Sequence, residues 1–212
     1  MATTEVNGKI CLNPAYDVKE EDVVRYDGQK IEPINETYVI MLNKPKNVIS
    51  TLKDPMGRKI VTDFIPKKFQ LNPIGRLDQN TTGLLLFTND GDLHQLLTHP
   101  KNKISKYYEA IIEGKLSSAQ KRKIQRGIYI GQKEFGQAEV LNQITEKTRS
   151  KVLLRLRQGK KREIRRIFFK LKFKLHNLKR TGFSKIKLGD LKEGHCRPLT
   201  KSEISRLRNS MI

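Results

Sequence analysis

One stretch of this 212-residue chain gathers residue types that could do chemistry: Gly75-Arg76-Leu77-Asp78-Gln79-Asn80-Thr81-Thr82-Gly83-Leu84-Leu85-Leu86-Phe87-Thr88-Asn89-Asp90-Gly91. A polar loop holds one carboxylate, Asp78, two residues after Arg76 and just before an apolar run. A carboxylate mounted at the root of a rigid element suits nucleophilic or general-base work. Read alone, the pattern better suits an aspartate that caps a turn or pairs with Arg76. Other chemistries find no support. There is no Gly-rich phosphate loop, no dinucleotide fingerprint and no histidine pair at ligand spacing. His94, His99, His176 and His195 are scattered and read as surface or packing residues. Cys11 and Cys196 lie 185 residues apart and read as reduced thiols of a cytoplasmic protein. Carboxylate chemistry or plain binding remains, with no cofactor and no metal expected.

The charge says what such a site would meet. The chain carries 43 Lys and Arg against 22 Asp and Glu, a net +21. Residues 1–38 are net −4, residues 39–150 net +9, and residues 151–212 net +16. So dense a surplus in the last third makes a field for a polyanion, and nucleic acid is the expected partner. No stretch approaches the roughly 20 apolar residues of a membrane span. No apolar signal core opens the sequence, so neither membrane nor secretion is expected.

The elements that must hold the loop are readable in outline. Tyr38–Asn43 and Leu84–Thr88 are apolar runs of strand length, the first stopped by Lys44-Pro45 and the second by Asn89-Asp90-Gly91. Tyr107–Glu113 and Lys151–Leu156 read as further strands. Helices are expected at Asp92–Thr98, Ser117–Arg126 and Arg162–Lys174. In the last of these Ile164, Ile167, Phe168 and Leu171 follow the spacing of a buried face. Strands and helices alternate without a βαβ rhythm, so the fold class is α+β with a mixed sheet. Before Tyr38, the dipeptides Asn7-Gly8 and Asp27-Gly28 mark hairpin turns between short strands, and residues 32–36 read as a linker. The expected division is a small segment, 1–36, and a main domain, 37–212.

Residues 75–91 resemble the catalytic motif of RNA pseudouridine synthases, in the branch that modifies single uridines of small- and large-subunit ribosomal RNA. Other stretches agree in order. Asn43-Lys44-Pro45-Lys46-Asn47-Val48-Ile49-Ser50 resembles the family's Lys-Pro motif, and Ser105-Lys106-Tyr107-Tyr108 its Lys-x-Tyr motif. Gly159-Lys160-Lys161-Arg162-Glu163-Ile164-Arg165-Arg166 resembles its basic motif, with Glu163 where the family usually has Gln. Leu178-Lys179-Arg180, Leu188–Gly194 and Arg197-Pro198-Leu199-Thr200 resemble its C-terminal signature. The likeness spans roughly residues 38–200. Residues 5–34 look like the second half of an S4 RNA-binding domain. The basic helical half of that module is missing, so the acidic remnant is expected to add little RNA affinity.

The resemblance implies an isomerase that turns one uridine of an RNA into pseudouridine, built on a pseudouridine-synthase-type mixed or antiparallel sheet flanked by helices. Asp78 would be the essential carboxylate, acting on a base flipped out of its stack. Arg165 would pair with Asp78, although the residues alone equally allow a phosphate contact. Tyr108 would stack on the uracil. Leu178 would pack against the base or simply fill the core, and Arg76 would occupy the vacated stack or bridge to an acid. Arg162 and Arg166 would grip phosphates. Ribosomal RNA is the expected substrate and the expected state is a monomer. The competing readings are a synthase directed at transfer RNA, or a non-catalytic RNA-binding or ribosome-assembly protein on the same fold.

Overall fold

The computed structural model describes residues 3–32, 36–67 and 70–211. The chain divides into two compact units, Met1–Thr37 and Tyr38–Ile212. Three residues of the expected linker, 33–35, lie outside the described residues.

The first unit is a four-stranded antiparallel sheet of β1 (Thr4–Val6), β2 (Lys9–Ile10), β3 (Val24–Tyr26) and β4 (Gln29–Ile31), in the order β2-β1-β3-β4. Both expected hairpins form. Asn7 and Gly8 have φ of 51° and 76°, and Asp27 and Gly28 have 50° and 75°, the left-handed pairs that two-residue turns need. Among the described residues of this unit only Val6 is buried.

The second unit opens with β5 (Val39–Lys44), β6 (Asn72–Ile74), β7 (Thr82–Thr88) and α1 (Gly91–Thr98). It continues with β8 (Lys106–Glu113), α2 (Ser118–Arg126), β9 (Ile128–Gly131), β10 (Glu134–Gly136), β11 (Glu139–Glu146) and β12 (Arg149–Leu156). It ends with α3 (Glu163–Lys170), β13 (Leu175–Phe183), β14 (Ile186–Lys187), β15 (Cys196–Pro198) and α4 (Lys201–Arg208). Nine of these strands make one sheet, with spine β11-β12-β8-β13-β7-β5-β15, β6 beside β7 and β14 beside β13. β9 and β10 form a separate hairpin. Every pairing in the large sheet is antiparallel except β13 with β7. No described helix is long and apolar enough to cross a membrane.

The apolar runs are continuous because the sheet is covered on both faces. Successive side chains of a strand point to opposite sides. Ile40, Leu42, Leu85 and Phe87 therefore join the core that holds Ile124 of α2 and Ile164, Ile167 and Phe168 of α3. Val39, Met41, Leu84 and Leu86 join the core that holds Leu93 and Leu97 of α1 and Leu207 of α4. The third helix is shorter than its periodicity suggests. It ends at Lys170, since Lys172 turns left-handed (φ 61°) and the Phe173 N–H donates back to the Phe168 carbonyl at 2.9 Å. The fourth helix was not expected; a Thr200–Glu203 capping box starts it.

The two halves of the sheet meet at the parallel contact, where Lys179 faces Thr82 and Arg180 faces Gly83. A Cβ on Gly83 would lie 2.2 Å from the Arg180 carbonyl oxygen and 2.7 Å from its nitrogen, and Gly83 has φ of +105°. Only glycine allows both the approach and the backbone angle. Gly83→Ala is expected to lower unfolding stability by about 3 kcal/mol or more, read from the denaturant midpoint against wild type.

Candidate active site

Asp78 stands in the loop between β6 and β7, and Leu77, Gln79, Asn80 and Thr81 around it are tied down. Leu77 is held at both backbone groups by one hydroxyl: its N–H donates to Ser50 Oγ at 3.2 Å, and Ser50 Oγ donates to its carbonyl at 2.9 Å. The Gln79 carbonyl accepts from the Asn47 N–H at 3.0 Å and from Lys44 Nζ at 3.2 Å. Asn80 is held through its carbonyl by Arg165 Nη2 at 2.8 Å, which also donates to Thr81 Oγ1 at 3.1 Å. The Thr81 N–H closes a turn onto the Asp78 carbonyl at 3.0 Å. A side chain on so fixed a backbone has little freedom to wander, which is what a reacting carboxylate needs.

Lys44 is the least expected member of this clamp. It ends β5 fully buried, donating to the carbonyls of Pro45 at 2.9 Å, Val48 at 2.8 Å and Gln79 at 3.2 Å. Burial draws its ammonium down to about 8, while the carboxylates of Glu193 and Asp78 pull the other way.

Arg165 projects from the first turns of α3. Its Nε is buried without a hydrogen-bond acceptor and faces Asp78 Oδ2 at 3.5 Å, an ion pair too long for a hydrogen bond. Burial lowers the affinity of this guanidinium for its proton and Asp78 opposes that fall. An arginine stays charged regardless. Arg162 adds a second guanidinium, 4.0 Å from the same oxygen and half exposed. The carboxylate thus faces two cations yet keeps access to solvent, with 29% of its side chain exposed.

Glu163 explains how α3 is set. It is buried at the start of the helix, and its two oxygens accept from the N–H groups of Gln137 and Lys160, each at 3.0 Å. Two backbone donors suit the two oxygens of a carboxylate, where an amide would offer one. Burial raises the proton affinity of this group, against those two bonds. The charge therefore turns inward and does not crowd Arg162 or Arg165. Arg166 departs from expectation. Its guanidinium is spent on the β9–β10 hairpin, donating to Ile130 O at 3.0 Å, Gly131 O at 2.7 Å and Glu134 Oε2 at 2.5 Å, and so is a strut and not a phosphate grip.

One cleft of about 430 Å³ gathers six of the seven residues given a role from the sequence, Asp78, Tyr108, Arg165, Leu178, Arg76 and Arg162, and leaves out Arg166. That is the size of a small-ligand site. Tyr108 and Leu178 are buried in its wall on neighbouring strands, and Arg76 is exposed at the rim. Arg76 makes no ion pair with Asp78. The sequence reading gave no role to Lys44, Lys106 or Arg180, the last two also lining this cleft. The signals were present: Lys106 lies two residues before Tyr108, and Arg180 two after Leu178, on strands whose alternate positions share a face.

Comparison with known proteins gives a consistent result. The pattern of the RNA pseudouridylate synthase family matches residues 38–170. The ribosomal large subunit pseudouridine synthase B of Bacillus subtilis (strain 168) is 38% identical over 209 residues, 96% of this chain and 84% of the relative. An uncharacterized RNA pseudouridine synthase of Aquifex aeolicus (strain VF5) is 32% identical over 209 residues, 96% of this chain and 82% of its own. A crystal structure of a pseudouridylate synthase superposes with a TM-score of 0.75 at 28% identity, covering 97% of this chain and 88% of that one.

Lys44→Met would take the ammonium donor from the carbonyls of Pro45 and Val48 and one of two donors from that of Gln79. It is expected to cost about 2–3 kcal/mol in denaturant unfolding and to slow turnover more than it weakens RNA binding, read as separate kcat and Kd changes.

Proposed function

The chain belongs to the RNA pseudouridylate synthase family and is an RNA pseudouridine synthase, and from that premise we propose that it acts on a uridine of ribosomal RNA with Asp78 as the catalytic carboxylate. The observation that carries the assignment of Asp78 is its ion pair with Arg165 inside a cleft that also holds Tyr108. A protein that only gripped phosphates would gain nothing from a carboxylate among cations, since it repels the ligand. Ribosomal RNA is supported by the ribosomal large subunit enzyme at 38% identity and by the net charge of +21.

In this reading the target nucleotide leaves its stack and its uracil enters the cleft. Tyr108 gives the base an aromatic face and Leu178 an aliphatic one. Arg76, at the rim and free of Asp78, fills the space the base leaves. Arg162 and the other basic residues of the rim meet phosphate oxygens. Arg165 keeps the Asp78 carboxylate ionised and oriented against the cost of burial. Asp78 then acts at the ribose, as a nucleophile at C1′ or as the base that takes a ribose proton. The N1–C1′ bond breaks, the base turns, and C5 bonds to the same C1′. The C5 proton is released and N1 gains one, so the product is an isomer and no electrons are exchanged. Residues 1–36 are read as an S4-like fragment, acidic and of little weight in RNA affinity.

Tritium release from RNA carrying uridine labelled at C5 measures the last step directly. Wild type is expected to release it from ribosomal RNA transcripts. Asp78→Asn, which keeps the shape of the side chain, is expected to release none while binding the same RNA within about threefold. An active Asp78→Asn enzyme would remove this residue from the mechanism.

A further inference from the structure

We propose that Lys106 and Arg180 form a cationic floor to the cleft, which receives the carbonyl oxygens of the uracil and holds the negative charge it carries once its bond to the ribose is broken. This rests on the reading of the cleft given above and extends it to two residues with no role there.

The strand register brings the two cations to one surface. On β8, Lys106 and Tyr108 are two residues apart and share a face, as do Leu178 and Arg180 on β13. Tyr108 is directly opposite Arg180 in the antiparallel pairing, and Lys106 opposite Phe183. Cross-strand partners of this kind have Cβ atoms about 5 Å apart. The ring assigned to stacking on the base therefore has one cation beside it across the sheet and another next along its own strand. Both line the same cleft as Asp78.

Neither cation has its charge met by a carboxylate. Arg180 is 1% exposed; its Nε donates to the Leu84 carbonyl at 2.6 Å, and its Nη2 is buried with no hydrogen-bond partner. Lys106 Nζ donates to the Ile104 carbonyl at 3.2 Å. No ion pair within 4.0 Å involves either residue among the described residues. The ring of Phe183 is near both, 5.3 Å from the Arg180 guanidinium and 5.8 Å from the Lys106 ammonium, and softens the cost of keeping both charges. Burial and the neighbouring Arg180 draw the Lys106 ammonium down to about 8, with Glu163 of α3 opposing. Two like charges side by side, one partly and one fully buried and the latter with an unused donor, are a site for an acceptor or an anion.

The reaction supplies one. When N1–C1′ breaks, the bonding pair stays with the base, and its charge spreads over N1, O2 and O4. C1′ is taken up meanwhile by the Asp78 oxygen, or becomes part of a double bond as Asp78 removes the C2′ proton. When C5 attacks C1′, the pair returns as the new C–C bond, and either the Asp78 oxygen leaves C1′ with its own pair or Asp78 gives the proton back to C2′. Donors fixed where this charge develops act before and after the base turns, because O2 and O4 both accept. They also select uracil over cytosine, which presents an amino group in place of O4.

The test compares single-turnover rates at saturating ribosomal RNA with RNA Kd and melting temperature, for wild type, Lys106→Met and Lys106→Arg. Lys106→Met is expected to lose about 100-fold in rate with Kd changed less than about threefold, and Lys106→Arg to recover most of the loss. A rate for Lys106→Met within about threefold of an active wild type overturns this inference and leaves the assignment of Asp78 standing. Equal losses in both variants, together with a lowered melting temperature, mark a packing role and also overturn it. A wild type inactive on every ribosomal RNA overturns the substrate reading, and this inference with it.

Discussion

The parallel contact between β13 and β7 is the constraint on which the site depends. On one side of it β8 and β13 carry Tyr108, Leu178 and Arg180, and on the other β6 and β7 flank the loop with Asp78. Gly83 lets the two backbones approach until a single added carbon would collide with Arg180. The Arg180 side chain then crosses the same seam to the Leu84 carbonyl. The contact that joins the sheet thus also fixes the distance between a carboxylate and the wall it works against. Only Lys179 and Arg180 pair across it, so the seam is short and leaves room for the cleft.

Around that seam the protein keeps an unusual number of cations out of water. Lys44, Arg180 and, in part, Lys106 and Arg165 are all withdrawn from solvent. Each is satisfied differently. Lys44 is answered by three backbone carbonyls, Arg165 by two oxygens of the Asp78 loop and by Asp78, Arg180 by one carbonyl and a ring. Burying a charge costs free energy unless partners replace water. Carbonyl partners replace water without cancelling the charge, so the cleft stays positive. The basic composition therefore does two jobs. Exposed lysines and arginines attract the RNA backbone from a distance, and the buried few set the field around the carboxylate.

How much of this was legible in the sequence depends on which face each residue serves. β5 and β7 stood out because both their faces are buried, giving unbroken apolar runs. β11 did not, because it is an edge strand with mostly exposed residues and no alternation. β13 was hidden by a buried cation: its inward positions are Leu178 and Arg180, and a cation in an inward place breaks the period that reveals a strand. The helix at 163–170 was legible, but its end was set by Lys172 turning left-handed, which no glycine announced. α4 could have been read from Thr200-x-x-Glu203, the sequence form of its cap. Asp78, Tyr108, Arg165 and Leu178 were reached by resemblance and do line one cleft. The spacing of residues along the chain says nothing of the 3.5 Å between Asp78 and Arg165, which is made by folding residues 87 apart onto each other. Nor could it tell that Arg166, alike in type to Arg165 and adjacent to it, braces a hairpin instead of facing Asp78.

The central claim is that this cleft converts one uridine of ribosomal RNA. Its most direct test is to map pseudouridine, position by position, in the ribosomal and transfer RNA of cells with and without the chain. One ribosomal position should lose its pseudouridine when the protein is absent and regain it when the protein is returned. An unchanged pattern in ribosomal RNA, whether or not the purified protein binds that RNA, would contradict the claim.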